Sequence, residues 1–352
     1  MDTESDEPPA LAVLVGKPRS QAAIAALRDE GVYDDDRGVR EWNEDCVAIP
    51  VTDVPTETAY REVIHDHRAR RKRGLEDHLR ERGWTDAEID RAPSSWAVVG
   101  SVILVSVGDD VARPGELGDA LLALHGEADT VLDRGGIAGP HREPDVTVIA
   151  GEGDTETVHR EHGTTYAMDL ADVMFSPGNK AERARMGEIV REATSGRDGG
   201  ERVLDMFAGI GYFTLPMARA GATVTAVERN PTSFQYLVEN AMANGVSDRV
   251  QPYRADCRDV VPAFAEEAPA DRVVMGYYDA HEYLDSALDA VAIGGTIHVH
   301  EATPNDLVFE RPIQRLEDAA SSAGRSVEIL ATREVKGYSE GVAHVVVDAR
   351  IE

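Results

Sequence analysis

The sequence predicts an α/β protein whose C-terminal part is a seven-stranded, mostly parallel, doubly wound sheet, preceded by smaller α+β units. Three observations predict it. From residue 202 onward, apolar runs alternate with helical patterns, the signature of parallel strands joined by crossover helices. The first run, Val203-Leu-Asp-Met-Phe-Ala-Gly-Ile-Gly-Tyr-Phe213, opens at Gly209 and Gly211, where a backbone without Cβ turns tightly and lets a ligand approach. About 20 residues further on, the run from Thr223 ends in Glu228, where a carboxylate can hold both ribose hydroxyls of a nucleoside.

Along the chain, residues 1–10 read as a disordered leader. Residues 11–55 read as a small α/β unit with strands Leu11–Val15 and Cys46–Val51 and a helix near Ser20–Glu30. Residues 56–94 read as a charged helical segment holding the run Arg68-Ala-Arg-Arg-Lys-Arg73. Residues 95–172 read as a β-rich unit. Its strands are expected at 97–107 and 145–150, with the glycine-rich stretch 134–140 between them and an extended approach over 156–172. The main domain spans 173–352. Pro177 begins a helix through about Ala193, and a polar break at 195–200 precedes the first main strand. Strands are expected at 202–207, 223–228, 250–255, 271–277, 295–300, 326–334 and 343–350, with helices between the first six. The stretch from Glu334 to Ala343 has no room for a crossover helix, so the last strand enters as a hairpin, antiparallel to its neighbour.

Composition bounds the function. At 352 residues, two or three domains are expected, and a hydrophobic fraction of 42% is ordinary for a globular chain. The 65 acidic residues against 36 basic ones give a formal charge of −29, and only Lys17, Lys72, Lys180 and Lys336 are lysines. Acids spread along the whole chain read as the hydrated surface of a protein adapted to high intracellular salt rather than as an acidic tail. At molar salt the Debye length is roughly 3 Å, so this charge does not exclude an RNA partner. Cys46 and Cys257 are too few for a disulfide framework or a structural zinc site. With no signal pattern and no bilayer-length apolar run, the sequence predicts a cytoplasmic protein with no membrane partner.

A seven-stranded sheet with one reversed strand is the layout of class I S-adenosylmethionine-dependent transferases. NAD-binding folds share the first half but want a third glycine, and here Gly211 is followed by Tyr212, Phe213 and Thr214. The expected cofactor is therefore S-adenosyl-L-methionine. Gly209 and Gly211 are expected to turn beneath it, Phe207 to lie beside it, and Asp205 to fix the loop or the amino group of the methionine. Glu228 is expected at the ribose, Asp256 at the adenine ring, and Cys257 beside that ring as an apolar filler. His298 and His300 share one strand face but lack a third ligand, so no metal is expected.

The motif Asp205-Met-Phe-Ala-Gly-Ile-Gly211, with Glu161-His-Gly163, Phe175-Ser-Pro177 and Asn230-Pro231, resembles the enzymes that modify position 37 of tRNA. Two branches share these motifs: the guanine-37 methyltransferases and the archaeal wybutosine-synthesising aminocarboxypropyltransferases. The resemblance covers about residues 155–352. Methyltransferases carry Asn-Leu-Pro at the end of strand four, whereas this chain reads Met275-Gly-Tyr-Tyr278 followed by His281-Glu282, which looks like the aminocarboxypropyltransferase branch. The resemblance implies transfer of the 3-amino-3-carboxypropyl group to a ring carbon of 4-demethylwyosine in tRNA(Phe). It also places Ser176 and Arg183 at the cofactor. The anticodon loop is single-stranded, so its purine can leave the stack and lie between aromatics, with Tyr212, Tyr277 and Tyr278 as candidates. His281 and Glu282 are the candidates for contact with the base and for its chemistry. The run Arg68–Arg73 is either a solvated helix face or part of the tRNA surface. The alternatives are guanine-37 methylation, a small-molecule methyltransferase, and an inert RNA-binding scaffold.

Overall fold

The structure, a computed structural model, describes residues 10–66, 74–139, 142–196, 199–339 and 341–352. The expected leader lies outside these residues except for Ala10, which starts a strand, and the run Arg68–Arg73 lies wholly outside them. The chain forms two compact units, Met1–Gly83 and Trp84–Glu352. Among the described residues no helix is long and apolar enough to cross a membrane.

The first unit contains β1 (Ala10–Gly16), α1 (Ser20–Asp29), β2 (Arg40–Glu41), β3 (Cys46–Val51), β4 (Glu62–Asp66) and α2 (Leu75–Glu81). Its strands form an antiparallel sheet in the order β2-β3-β1-β4. β4 corrects the expectation that residues 56–94 are helical. Val63 and Ile64 at its centre are β-branched and half-buried, which suits a pleated surface better than a helix, whatever the flanking charge.

The second unit opens with α3 (Asp86–Ile89), β5 (Trp96–Val99), β6 (Val102–Val105), α4 (Pro114–Leu124), β7 (Thr130–Ala138) and β8 (Glu143–Gly151), with sheet order β5-β6-β7-β8. Three expectations are corrected here. The single strand at 97–107 is instead a hairpin, broken at Gly100. α4, not expected, carries two glycines that weaken its helical pattern. Gly118 is there because the helix lies flat on β8: a Cβ at that position would come 2.6 Å from that of Ala150. The glycine-rich stretch is mostly strand β7 rather than a connection.

β9 (Glu156–Glu161) and β10 (Thr164–Asp169) form a hairpin whose two loop residues, His162 (φ 46°) and Gly163 (φ 76°), are both left-handed. That is the requirement of a type I′ turn, so Glu161-His-Gly163 is in part turn chemistry. After a 3-10 turn at Pro177–Asn179 comes α5 (Lys180–Thr194). The main sheet is built from β11 (Arg202–Asp205), α6 (Thr214–Arg219), β12 (Thr223–Glu228), α7 (Pro231–Ala243), β13 (Val250–Arg254), α8 (Cys257–Glu267) and β14 (Ala270–Met275). It continues through α9 (Leu284–Ala290), β15 (Val291–Pro304), α10 (Glu310–Ser322), β16 (Val327–Ser339) and β17 (Val342–Ile351). The order is β13-β12-β11-β14-β15-β17-β16, and β17 runs antiparallel to both of its neighbours. The expected seven-stranded sheet with one reversed strand is therefore the observed one.

One apolar core joins the small sheet, the hairpin and the first strands of the main sheet, and it includes Val102, Leu132, Tyr166, Met186 and Val203. Set into it is an ion pair. Arg183 on α5, 2% exposed, forks onto both carboxylate oxygens of Glu161 at the end of β9. Burial pushes the Glu161 carboxyl up, but the hydrogen bonds and charges of His159 and Arg183 outweigh it and bring it down to about 2. The stabilisation is thus fully present above the ordinary carboxylate range and is lost as pH falls toward that value. Removing one partner strands a buried charge, so Arg183→Met is expected to lower the unfolding free energy by about 3–5 kcal/mol in urea titrations at constant high salt. The double change Glu161→Gln/Arg183→Met is expected to recover most of that loss. Equal stabilities for wild type and Arg183→Met would contradict this account.

Candidate active site

The carboxyl ends of β11, β12 and β14 face one crevice, where doubly wound sheets bind ligands. A cavity of about 900 Å³, its mouth included, lies there. Its floor is the turn after β11. Gly209 has φ +56°, and a Cβ on it would stand 2.4 Å from the Tyr212 ring. Gly211 (φ +103°) supports the turn from behind, pressed against Leu215 and Leu237. Asp205, fully buried, accepts from Thr214 Oγ1 at 2.7 Å and from the Phe207 amide at 3.4 Å. Burial raises its carboxyl to about 6. Of its two expected roles, the geometry supplies the fixing of the loop.

Glu228 lines the cavity from the end of β12. Its Oε2 accepts from the Gly209 amide at 2.8 Å and its Oε1 from the Asn230 amide at 2.7 Å. Burial raises its pKa, and these two amides oppose the rise. A carboxylate has about four lone-pair positions, so each oxygen keeps one to offer a diol. Phe207, Tyr277 and Tyr283 make an aromatic wall, with ring centres 5.1 Å and 5.0 Å from that of Phe207. Asp256 caps α8 and forks onto Arg258 at 2.8 and 2.7 Å. Cys257 completes the wall; burial pushes its thiol up to about 12, which suits a filler and not a nucleophile. The Tyr212 hydroxyl is buried here with no hydrogen-bond partner among the described residues. A glycine cradle, a fixed carboxylate, an aromatic slot and an orphaned hydroxyl fit an adenosine-bearing ligand.

The structure thus brings together Phe207, Gly209, Glu228, Asp256, Cys257 and Tyr277 on one lining, with Asp205 and Gly211 beneath it. It does not bring Ser176 or Arg183 to that lining. Arg183 is spent on Glu161 and on the Ser176 carbonyl, to which it donates at 2.9 Å, and it stacks over Phe175. Ser176 and Tyr278 line a second, open cavity of about 1600 Å³, its mouth included, instead. Met174 lines both cavities and so stands between them. His281 and Glu282 line neither. Residues 280–283 form a 3-10 turn, in which side chains three apart eclipse, so Ala280 is buried and Tyr283, not His281 or Glu282, faces the cavity. His298 and His300 are buried in the sheet, His298 against Asp348 at 2.6 Å and His300 against His344 at 3.0 Å. Among the described residues no group of three or more His, Cys, Asp or Glu could hold a metal ion.

Sequence reading missed Arg142, Met174 and Tyr283. Arg142 is a non-glycine residue at φ 55°, and its guanidinium lies 5.3 Å from the ring centres of both Tyr277 and Tyr278. Strained backbone of this kind concentrates at functional sites, but nothing local in the sequence signals it.

Residues 157–330 match the TRM5/TYW2 methyltransferase domain, and residues 75–155 match the TYW2 N-terminal domain. A Pyrococcus horikoshii protein named tRNA(Phe) (4-demethylwyosine(37)-C(7)) aminocarboxypropyltransferase is 36% identical over 290 residues, covering 80% of this chain and 99% of its own. The chain belongs to the TRM5/TYW2 family. Another relative, the tRNA (guanine(37)-N(1))-methyltransferase Trm5b of Pyrococcus abyssi, is 32% identical over 262 residues, 74% of this chain and 75% of its own. The crystal structure of Pyrococcus horikoshii TYW2 in complex with MeSAdo superposes with a TM-score of 0.64 at 32% identity, covering 79% of this chain and 97% of that one.

As a TRM5/TYW2 protein the chain is an S-adenosylmethionine-dependent transferase, and its matched domain contains both the glycine turn and Glu228. A methyl at Gly209 displaces Tyr212 from the cavity wall. Gly209→Ala is therefore expected to weaken S-adenosylmethionine binding at least tenfold, about 1.4 kcal/mol, by isothermal titration calorimetry. An unchanged affinity would mean that the turn does not shape the cofactor site.

Proposed function

We propose that this protein transfers the 3-amino-3-carboxypropyl group of S-adenosylmethionine to 4-demethylwyosine at position 37 of tRNA(Phe). The observation that carries the reading is the end of β14. Gly276-Tyr277-Tyr278 stands where the methyltransferase branch has Asn-Leu-Pro, and its two tyrosines divide between adjoining cavities, Tyr277 on the first and Tyr278 on the second. The match of residues 75–155 to the TYW2 N-terminal domain and the name of the Pyrococcus horikoshii relative support the same branch.

S-adenosylmethionine supplies a sulfonium whose three attached carbons are electrophilic, and in-line approach decides which one reacts. Glu228 takes the ribose diol, and Phe207, Tyr277, Tyr283 and Cys257 enclose the adenine, with Asp256 at its edge. Met174 and Ser176 receive the methionine end where the cavities meet. Arg183 acts on that end by holding the Ser176 carbonyl. Trp96 and Tyr278 in the second cavity offer faces for an unstacked base of the anticodon loop. Gly276 presses under the Phe213 ring, where a Cβ would come within 2.8 Å, and so keeps the two tyrosines in line.

The test uses S-adenosylmethionine labelled differently on its methyl and its carboxyl, offered at high salt to tRNA(Phe) carrying the tricyclic precursor. The expected outcome is carboxyl label in the tRNA with release of methylthioadenosine. Methyl label in the tRNA would establish the guanine-37 type of chemistry that the Trm5b relative's name describes. Cofactor binding with neither label transferred would return the scaffold and small-molecule readings.

A further inference from the structure

Carbon–carbon bond formation at an aromatic ring carbon leaves a proton to be removed, and the residues expected to handle it, His281 and Glu282, line neither cavity. No Asp, Glu or His is among the described residues lining the second cavity, where the proposed acceptor base would lie. Its ionisable groups are Arg134, Lys336, Tyr278 and Tyr338. An arginine does not give up its charge in a protein. Burial raises the Tyr278 hydroxyl further from neutrality. Tyr338 is 51% exposed, which leaves Lys336 as the half-buried nitrogen base of the cavity.

Its setting is constructed. β16 carries a register shift between Glu334 and Lys336, so that Val335 is an extra residue in the ladder. Even alternation would put Lys336 on the same exposed face as Glu334; with the bulge, Val335 and Lys336 are both half-buried in succession. Bulges of this kind re-aim side chains beside active sites. Gly178 makes room for the stem, since a Cβ there would come 3.0 Å from Lys336 Cδ. The amine reaches Ser176 Oγ at 2.5 Å, and no carboxylate pairs with it among the described residues. The charged groups around it are Arg134 from β7 and Arg183 from α5, with His344 opposite it on β17. Both arginines disfavour a second positive charge, and His344, which burial keeps neutral, adds none. Burial first, and then Arg134 and Arg183, lower the ammonium from its ordinary range. The choice of residue is itself unusual, because only four of the 36 basic residues are lysines. Arginine would serve equally well to hold an anion, but only lysine can lose its proton.

We propose that Lys336, as the neutral amine, is the general base that removes the ring proton from the acceptor carbon. The proposal rests on the transfer reaction argued above. The acceptor carbon bonds to the methionine γ-carbon, the γ-carbon–sulfur bond breaks, and its electron pair leaves with sulfur as the neutral thioether of methylthioadenosine. The positive charge passes to the tricyclic base. Lys336 then takes the ring proton, the C–H electrons restore the aromatic system, and the ammonium returns the proton to solvent.

Single-turnover transfer from carboxyl-labelled S-adenosylmethionine, measured from pH 6 to 10 at high salt, tests this with wild type, Lys336→Arg and Lys336→Met. The wild-type rate is expected to rise with pH and then level off. Both variants are expected to lose roughly a hundredfold or more and to lose the pH dependence, with tRNA and cofactor binding within about threefold of wild type. An independent readout is the ¹⁵N-lysine spectrum, which has only four side-chain signals; the one absent from Lys336→Arg is expected to titrate lowest, at the pH where the rate levels off. A Lys336→Arg variant that keeps the wild-type rate would overturn the proposal and make Lys336 an anion-holding cation. A Lys336 signal titrating with the other three would overturn it as well. If the wild type transferred methyl label instead, the parent reading would fall and this one with it, whereas carboxyl transfer undiminished in both variants would sink only the role of Lys336.

Discussion

The buried pair of Arg183 and Glu161 is the constraint on which the rest of the second unit depends. Its guanidinium ties the β9–β10 hairpin to α5, donates to the carbonyl of Ser176, and lies against the rings of Phe175 and Tyr212. Tyr212 in turn covers Gly209, whose amide bonds Glu228. One cation therefore connects the hairpin, the segment entering the main domain and the turn under the nucleoside. Two charges taken out of water rarely add much stability over an apolar packing of equal volume. What the pair supplies is registry, because its fork is satisfied in one geometry only.

On the proposed reading, that registry lets a fold shared by methyl and aminocarboxypropyl transferases select one carbon of a sulfonium. The chemistry asks little of the protein beyond alignment, and alignment by a rigid site is worth many powers of ten in rate. On the proposed reading, a carboxylate fixed at both oxygens and three packed aromatics grip the nucleoside end. The same reading sends the methionine end toward Met174 and Ser176; Ser176 is held from behind by Arg183 and met from the far sheet edge by Lys336. The two cavities share Met174 in their walls, and the residues around it come from elements more than a hundred positions apart in sequence.

The main sheet was legible because parallel α/β units carry long, repeated signals: apolar runs, glycine turn, acidic strand end. The hairpin entry of β17 followed from the length of the connection alone. What escaped depended on packing. β4 hid inside a charged stretch, α4 carried a glycine needed for its approach to β8, and the 3-10 phase of residues 280–283 turned Tyr283 rather than His281 toward the cavity. The resemblance places Arg183 at the cofactor, but a guanidinium with a buried carboxylate in reach goes to that carboxylate. Lys336 needed a bulge, Arg142 a left-handed backbone, and neither is visible in spacing or composition.

The account turns on which end of the donor faces the second cavity. A crystal structure of the protein with S-adenosylmethionine bound, at high salt, is the most direct measurement. The account predicts adenine between Phe207 and Cys257, the ribose on Glu228, and the methionine γ-carbon open toward the second cavity past Met174. A sulfonium methyl pointing through that opening, with the γ-carbon enclosed by protein, would contradict it.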